Sequence, residues 1–227
     1  AHELRTPLAV MQTNLEVFAR KKTPTIEEYQ DIFGMIQNQT ERLSHLSEVL
    51  LDMTGIQSVE RSDSISLAEL TDEVCCDLAS IADQKKVELI QEEGDCTVTG
   101  SYLLLYRAVY NLVENAIKYN HSGGKVTVKI SQTKALPAAH SKPADYALVE
   151  VTDTGIGISP EYQEKIFAPF FRVDKSRSRA MGGAGLGLAL VAEIARQHGG
   201  QVKVLASSEQ GSTIALMLPI NSPLIEI

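Results

Sequence analysis

The chain has 227 residues, 44% of them apolar and 22% charged, the balance of an ordinary folded chain rather than of a disordered or collagen-like one. Twenty-one basic against 29 acidic residues leave a net charge of −8, which disfavours general nucleic-acid binding and adsorption to anionic lipid. Three cysteines (Cys75, Cys76 and Cys96) without C-x-x-C spacing argue against a zinc site or disulfide framework and point to a reducing compartment, and no apolar run reaches the roughly 18–20 residues of a membrane span.

In chain order, Leu4, Leu8, Met11, Leu15 and Phe18 follow a heptad spacing. After Lys21–Pro24, a second seam runs through Ile32, Ile36, Gln39, Leu43, Leu46, Leu50 and Met53. Thr25 and Glu28 form a capping box that starts this second helix. Two heptad helices joined by a short turn make an antiparallel hairpin, and its apolarity requires a second hairpin, so a homodimeric four-helix bundle is expected. From about residue 64 the pattern becomes mixed. Helices are predicted over 67–86, 101–119, 160–167 and 185–198, and strands over 87–91, 97–99, 125–133, 146–152, 201–206 and 212–218. A loop carrying Pro137 and Pro143 interrupts them. The fold class is α+β, with helices on one face of a sheet.

Three segments carry chemistry in this second part. Asn111, Asn115, Lys118 and Tyr119 fall within an arc of roughly 100° on one helix, opposite Leu105, Val109, Leu112, Val113, Ala116 and Ile117. Two amides, an ammonium and a phenol suit a metal, phosphates and an aromatic ring. The segment Asp153-Thr154-Gly155-Ile156-Gly157 follows an apolar strand, with glycines placed for close backbone approach and an Asp able to accept from an amino group. Gly182-Gly183-Ala184-Gly185-Leu186-Gly187 runs into a helix whose N-terminus would attract an anion. Between them, Arg172, Lys175, Arg177 and Arg179 form a cationic stretch suited to closing over phosphates. Each signal alone has a plainer reading as a solvated helix, a turn or a charged loop.

Together and in this order they resemble the ATP-binding domain of the histidine kinases, within the wider family of chaperone and topoisomerase ATPases. The N box matches at Asn111–Tyr119, the first glycine box at Asp153–Gly157, the F box at Phe167–Phe171 and the second glycine box at Gly183–Gly187. The resemblance implies Asn115 as the magnesium ligand with Asn111 beside it, Lys118 at the phosphates, Tyr119 on the adenine and Asp153 as acceptor for the adenine amino group. Gly155 and Gly157 would permit close approach. Gly183, Gly185 and Gly187, with Leu186 among them, would form the hinge of the ATP lid, Arg172 a lid residue, and Thr213 a position near the adenine. Ala168 and Ala184 depart from the family pattern.

His2-Glu3-Leu4-Arg5-Thr6-Pro7 is similar to the H box of the same family. An imidazole with a reference pKa of about 6.5 offers a lone pair near neutral pH for attack on a γ-phosphate, and Glu3 could accept the proton of the other ring nitrogen. Pro7 is expected to bend the helix. Glu3–Thr6 matches the E-x-x-T pattern of members that also dephosphorylate their regulator, with Thr6 orienting water. The resemblance therefore implies a sensor histidine kinase core that uses ATP and Mg2+ to phosphorylate His2, passes the group to an Asp of a response regulator, and removes it again. The alternatives are an ATP-dependent conformational clamp and a non-catalytic dimeric scaffold. Expected boundaries are 1–56 for the dimerisation and phosphoacceptor hairpin, 57–64 for a linker, 65–220 for an α/β sandwich ATP-binding domain, and 221–227 for a tail. The expected partners are a second copy and a receiver domain, with no nucleic acid and no direct membrane contact. A cytoplasmic placement is expected, the parent being anchored in the bacterial membrane upstream of residue 1. His198 reads as a helix C-terminal residue favoured by the dipole.

Overall fold

Heptad spacing produces two antiparallel helices, α1 (His2–Ala19) and α2 (Ile26–Gly55). The computed structural model describes residues 2–55, 59–135, 144–173 and 185–220. The capping box forms as the sequence predicts. The Glu28 amide donates to Thr25 Oγ1 at 3.2 Å, and the Thr25 amide donates to Glu28 Oε2 at 3.0 Å. Lys21 Nζ adds an ion pair at 2.5 Å that holds the Glu28 carboxyl below its ordinary range. Phe18 packs edge-on against Tyr29, their ring centres 5.0 Å apart, and so sets the angle at which the helices leave the turn. Helix α1 continues through Pro7 as one element. On the first seam, Leu8 and Leu15 remain 52% and 45% exposed in the single chain.

The second part begins with β1 (Asp63–Ser66), which pairs antiparallel with β3 (Thr97–Gly100). Between them lie α3 (Leu67–Lys85) and β2 (Glu88–Gln91). Then follow α4 (Tyr102–Lys118), β4 (Lys125–Ala135), β5 (Ala144–Asp153), two 3₁₀ turns at Pro160–Tyr162 and Lys165–Phe167, α5 (Gly187–Gln197), β6 (Gln201–Ser208) and β7 (Gly211–Pro219). The main sheet has the order β2-β4-β5-β7-β6, with β2 parallel to β4 and every other pair antiparallel. Its strands alternate. Val126 and Val128, Val149 and Val151, and Leu216 and Leu218 face the three helices, which contribute Leu70, Leu78, Leu105, Leu112, Ile117 and Ile194. Each such fully buried side chain contributes ~1.5–3 kcal/mol.

Two sequence expectations change, and β1 is a strand that the sequence reading did not include, being only four residues long with one fully buried side chain. The single helix expected at 160–167 is two separate 3₁₀ turns. His198 is not a charged helix terminus: it is buried, its Nδ1–H donates to the Ile194 carbonyl at 2.8 Å, and its Nε2 accepts from the Ser101 amide at 3.1 Å. Burial lowers its pKa and outweighs the Ile194 bond, so the ring is neutral. The Tyr102 amide donates in turn to Asp63 Oδ2 at 3.1 Å. Two side chains distant in sequence thus satisfy the first donors of α4. The proline loop at 136–143, the cationic segment from 174 to 184 and the 221–227 tail lie outside the described residues. Among the described residues, no helix is long and apolar enough to cross a membrane.

Candidate functional site

The helices leave a cavity of about 480 Å³ between the C-terminal half of α4, the end of β5, the segment 156–159 and the start of α5. This is the size range of small-molecule sites. Its walls are apolar at Ile156, Ile158, Ile166, Leu188 and Ile214, and polar at Asn111, Asn115, Lys118, Tyr119, Asp153 and Ser212.

Both carboxylate oxygens of Asp153 are held. Oδ1 accepts from the Gly155 amide at 2.7 Å, and Oδ2 accepts from Ser212 Oγ at 2.6 Å, across the register in which Asp153 faces Ser212. A carboxylate fixed at two points by its own fold is a preorganised acceptor. Ile156 donates its amide to the Tyr119 carbonyl at 3.3 Å, so the turn after β5 is tied to the end of α4. Asn120 adds to this tie by accepting from Thr154 Oγ1 at 3.2 Å.

On α4, Asn111 Nδ2 donates to the Arg107 carbonyl at 2.8 Å, which leaves its amide oxygen turned toward α5. A Cβ on Gly187 would meet that oxygen at 2.6 Å and Asn115 Nδ2 at 3.6 Å. The helix N-terminus and the two amides therefore share one corner of the cavity. Amide oxygens suit a hard cation such as Mg2+, which keeps several waters and shares phosphate oxygens, so the donor set fits that ion. Lys118 lies near Glu114 and Arg172, and its ammonium is 5.9 Å from the centre of the Tyr119 ring. Burial lowers the Lys118 pKa, and the charges of Arg172 and Lys85 lower it further against the opposing pull of Glu114. An electropositive corner beside a helix N-terminus is built for an anion.

Residues 100–222 match the family model described as "Histidine kinase-, DNA gyrase B-, and HSP90-like ATPase", and residues 1–58 match the "His Kinase A (phospho-acceptor) domain". The chain belongs to the sensor histidine kinases. Sensor histidine kinase RppB of Synechocystis sp. is 33% identical over 227 residues, covering 98% of this chain and 48% of that protein. The chain spans about half the length of the curated relatives it matches. Histidine kinase AdeS of Acinetobacter baumannii shares the fold at a TM-score of 0.70 and 22% identity, over 98% of this chain and 99% of that one. Histidine kinase ThkA, solved in complex with response regulator protein TrrA, superimposes at a TM-score of 0.70 and 21% identity, over 97% of this chain and 60% of that one.

In this histidine kinase core, the cavity gathers Asn111, Asn115, Lys118, Tyr119, Asp153, Gly157, Arg172, Gly185 and Gly187. Three predicted residues, Thr213, Leu186 and Gly155, do not line the cavity. Thr213 lies on the opposite face of the sheet, its Oγ1 3.0 Å from Thr152 Oγ1, because alternation along β7 turns its neighbour Ser212 inward instead. Leu186 is 1% exposed and packs in the core rather than against the cavity. Gly155 and Gly157 make room for neighbouring backbone, and Gly157 lines the cavity as well. Their Cβ atoms would meet the Tyr119 carbonyl oxygen at 2.4 Å and the Ser208 carbonyl oxygen at 1.8 Å, and Gly157 also has φ +67°. Gly183 lies outside the described residues. His2 and Glu3 belong to α1, but their side chains lie outside the described set, whereas Thr6 is exposed on that helix. The sequence reading passed over Ser212, although strand periodicity carried the signal.

Proposed function

We propose that this kinase core binds Mg-ATP in the α4–β5–α5 cavity, transfers the γ-phosphoryl group to His2, passes it to an Asp of a response regulator, and also dephosphorylates that regulator. The observation that carries the reading is the convergence in one cavity of a doubly anchored carboxylate, two neighbouring amides, a half-buried lysine and a helix N-terminus. Asp153 would accept from the adenine amino group, with Ser212 holding it in line, and the Tyr119 ring would form a wall of the base site. Asn115, with Asn111 beside it, would hold the magnesium ion, which supplies neutralisation of phosphate charge. Lys118 and the α5 amides would bind phosphate oxygens, with Arg172 as a further cation at the edge.

At the hairpin, the neutral imidazole of His2 would attack phosphorus with one nitrogen while its other N–H hands a proton to Glu3. An N–P bond forms as the P–O bond to ADP breaks, and most of the rate enhancement comes from positioning. The homodimeric bundle is supported by the exposed seam at Leu8 and Leu15 and by the phospho-acceptor family match. The solved assembly of ThkA with TrrA supports a receiver domain as partner. The domain boundaries of the sequence reading, the cytoplasmic placement and anchoring by other segments belong to the same proposal.

The test is a two-stage transfer. The chain is labelled with γ-³²P-ATP and Mg2+, purified, and mixed with purified receiver domains. Label is expected to leave the kinase for an acyl phosphate on one receiver, and Asp153→Asn is expected to prevent labelling at the first stage. Label that never leaves the kinase for any receiver contradicts the relay. Thr6→Ala should slow regulator dephosphorylation about tenfold or more. An unchanged rate removes the phosphatase activity from the proposal.

A further inference from the structure

The last turn of α4 leaves carbonyl oxygens that the helix itself cannot satisfy. Asn115 O accepts from the Tyr119 amide at 3.0 Å and Ile117 O from the Asn120 amide at 3.3 Å. The Lys118 carbonyl accepts instead from a side chain 33 residues away: Lys85 Nζ, at 2.8 Å. This oxygen belongs to the peptide unit that joins Lys118 to Tyr119, two residues of the nucleotide cavity. Fixing that one plane orients both side chains. Lys85 itself is half-buried and is not among the residues that line the cavity.

The position of Lys85 is well defined by its surroundings. It is the last residue of α3, and Lys86 after it adopts a left-handed conformation (φ 57°) that turns the chain into β2. The Lys86 carbonyl accepts from the Gly123 amide at 2.7 Å, and the Glu88 amide donates to the Gly124 carbonyl at 2.9 Å. The end of α3 is thus stitched to the turn that leaves α4, and Lys85 is the side chain within that stitch. Its charge also complements the negative end of the α4 dipole.

We propose that Lys85 is a positioning residue for nucleotide binding: through the Lys118 carbonyl it holds the Lys118–Tyr119 peptide, and with it the phosphate and base contacts at the end of α4. The proposal rests on the reading of the cavity as the ATP site. It assigns Lys85 no contact with nucleotide and no part in the transfer step, so its effect falls on affinity.

The test is calorimetric titration of the whole chain with ADP and Mg2+, beside autophosphorylation rates at saturating ATP. Lys85→Met, which keeps the stem and removes the donor, should weaken binding about five- to tenfold, a part of what one charge-assisted hydrogen bond contributes, since the bond acts on the nucleotide only through the peptide it holds. The rate at saturation should stay within about twofold. Lys85→Arg, which restores a donor and a charge, should recover most of the affinity. If the Met variant lacks a cooperative melt, Lys85→Leu, which also lacks a donor, takes its place. Unchanged affinity in the variant that lacks the donor overturns the proposal, and so does an Arg variant no better than it. A wild-type chain that binds no nucleotide would instead overturn the reading of the cavity, whatever Lys85 does.

Discussion

Gly187 shows how a single residue can serve two structures at once. It opens α5, and its missing Cβ leaves room for the Asn111 amide oxygen. Alanine is the better helix former, by up to ~1 kcal/mol. Gly187→Ala should therefore leave the melting temperature unchanged or higher while weakening Mg-ATP binding about tenfold or more, because the added methyl must displace Asn111. Calorimetry and a thermal melt on the same sample check both halves, and unaltered Mg-ATP affinity would contradict the placement. The residue types at this site were legible in sequence, since amides, an aspartate and glycines at fixed spacing name a chemistry. Their contacts were less so. Gly155 and Gly157 read as openings for a ligand, yet they make room for the Tyr119 and Ser208 carbonyls, because nothing in a local motif says which distant backbone passes close by. Thr213 was chosen over Ser212 for a similar reason. Only the pairing of β7 with Asp153 reveals which hydroxyl turns inward.

Helix α4 is the element on which the site depends. Its apolar face was readable from a 3.6-residue period, and the observed span differs from the expected one by a residue at each end. What holds its two ends was not readable. The N-terminal donors go to Asp63 and His198, and the C-terminal carbonyl of Lys118 goes to Lys85, all of them distant in sequence. Because burial keeps His198 neutral in the folded state, the unfolded chain takes up this proton at a higher pH than the native one. Its contribution to stability is complete above the ordinary imidazole value of about 6.5 and is lost as the pH falls through and below it. Denaturant titrations between pH 7.5 and 5 should show stability falling with acid. In His198→Leu this component of the slope should vanish, and stability at pH 7.5 should drop by ~1–3 kcal/mol as the Ser101 amide loses its acceptor. A variant with an unchanged acid slope would show that His198 is not the titrating group. The bonds between α3 and α4 that run from Tyr102 to Glu73 and from Tyr106 to Asp77 belong to the same class of long-range ties, unseen by any local window.

The whole molecule joins two parts with different periodicities, and that change of period between residues 56 and 64 was the most legible feature of all. The heptad hairpin exposes Leu8, Leu15 and Phe33, while the α/β part buries its apolar residues against its own sheet. One part leaves apolar side chains uncovered, and the other encloses a cavity of about 480 Å³. The sheet order β2-β4-β5-β7-β6 was less legible, since β2 reaches its parallel partner β4 only after the whole of β3 and α4. The two family matches fall on the same two parts, and the account stands on their working together. The most direct measurement incubates the chain with γ-³²P-ATP and Mg2+ and follows protein-bound label under acid and under base, beside a His2→Gln variant. Acid-labile, base-stable label on the wild-type chain and none on the variant is the predicted result. Label that persists in His2→Gln, or a wild-type chain that takes up none at saturating Mg-ATP, would contradict it.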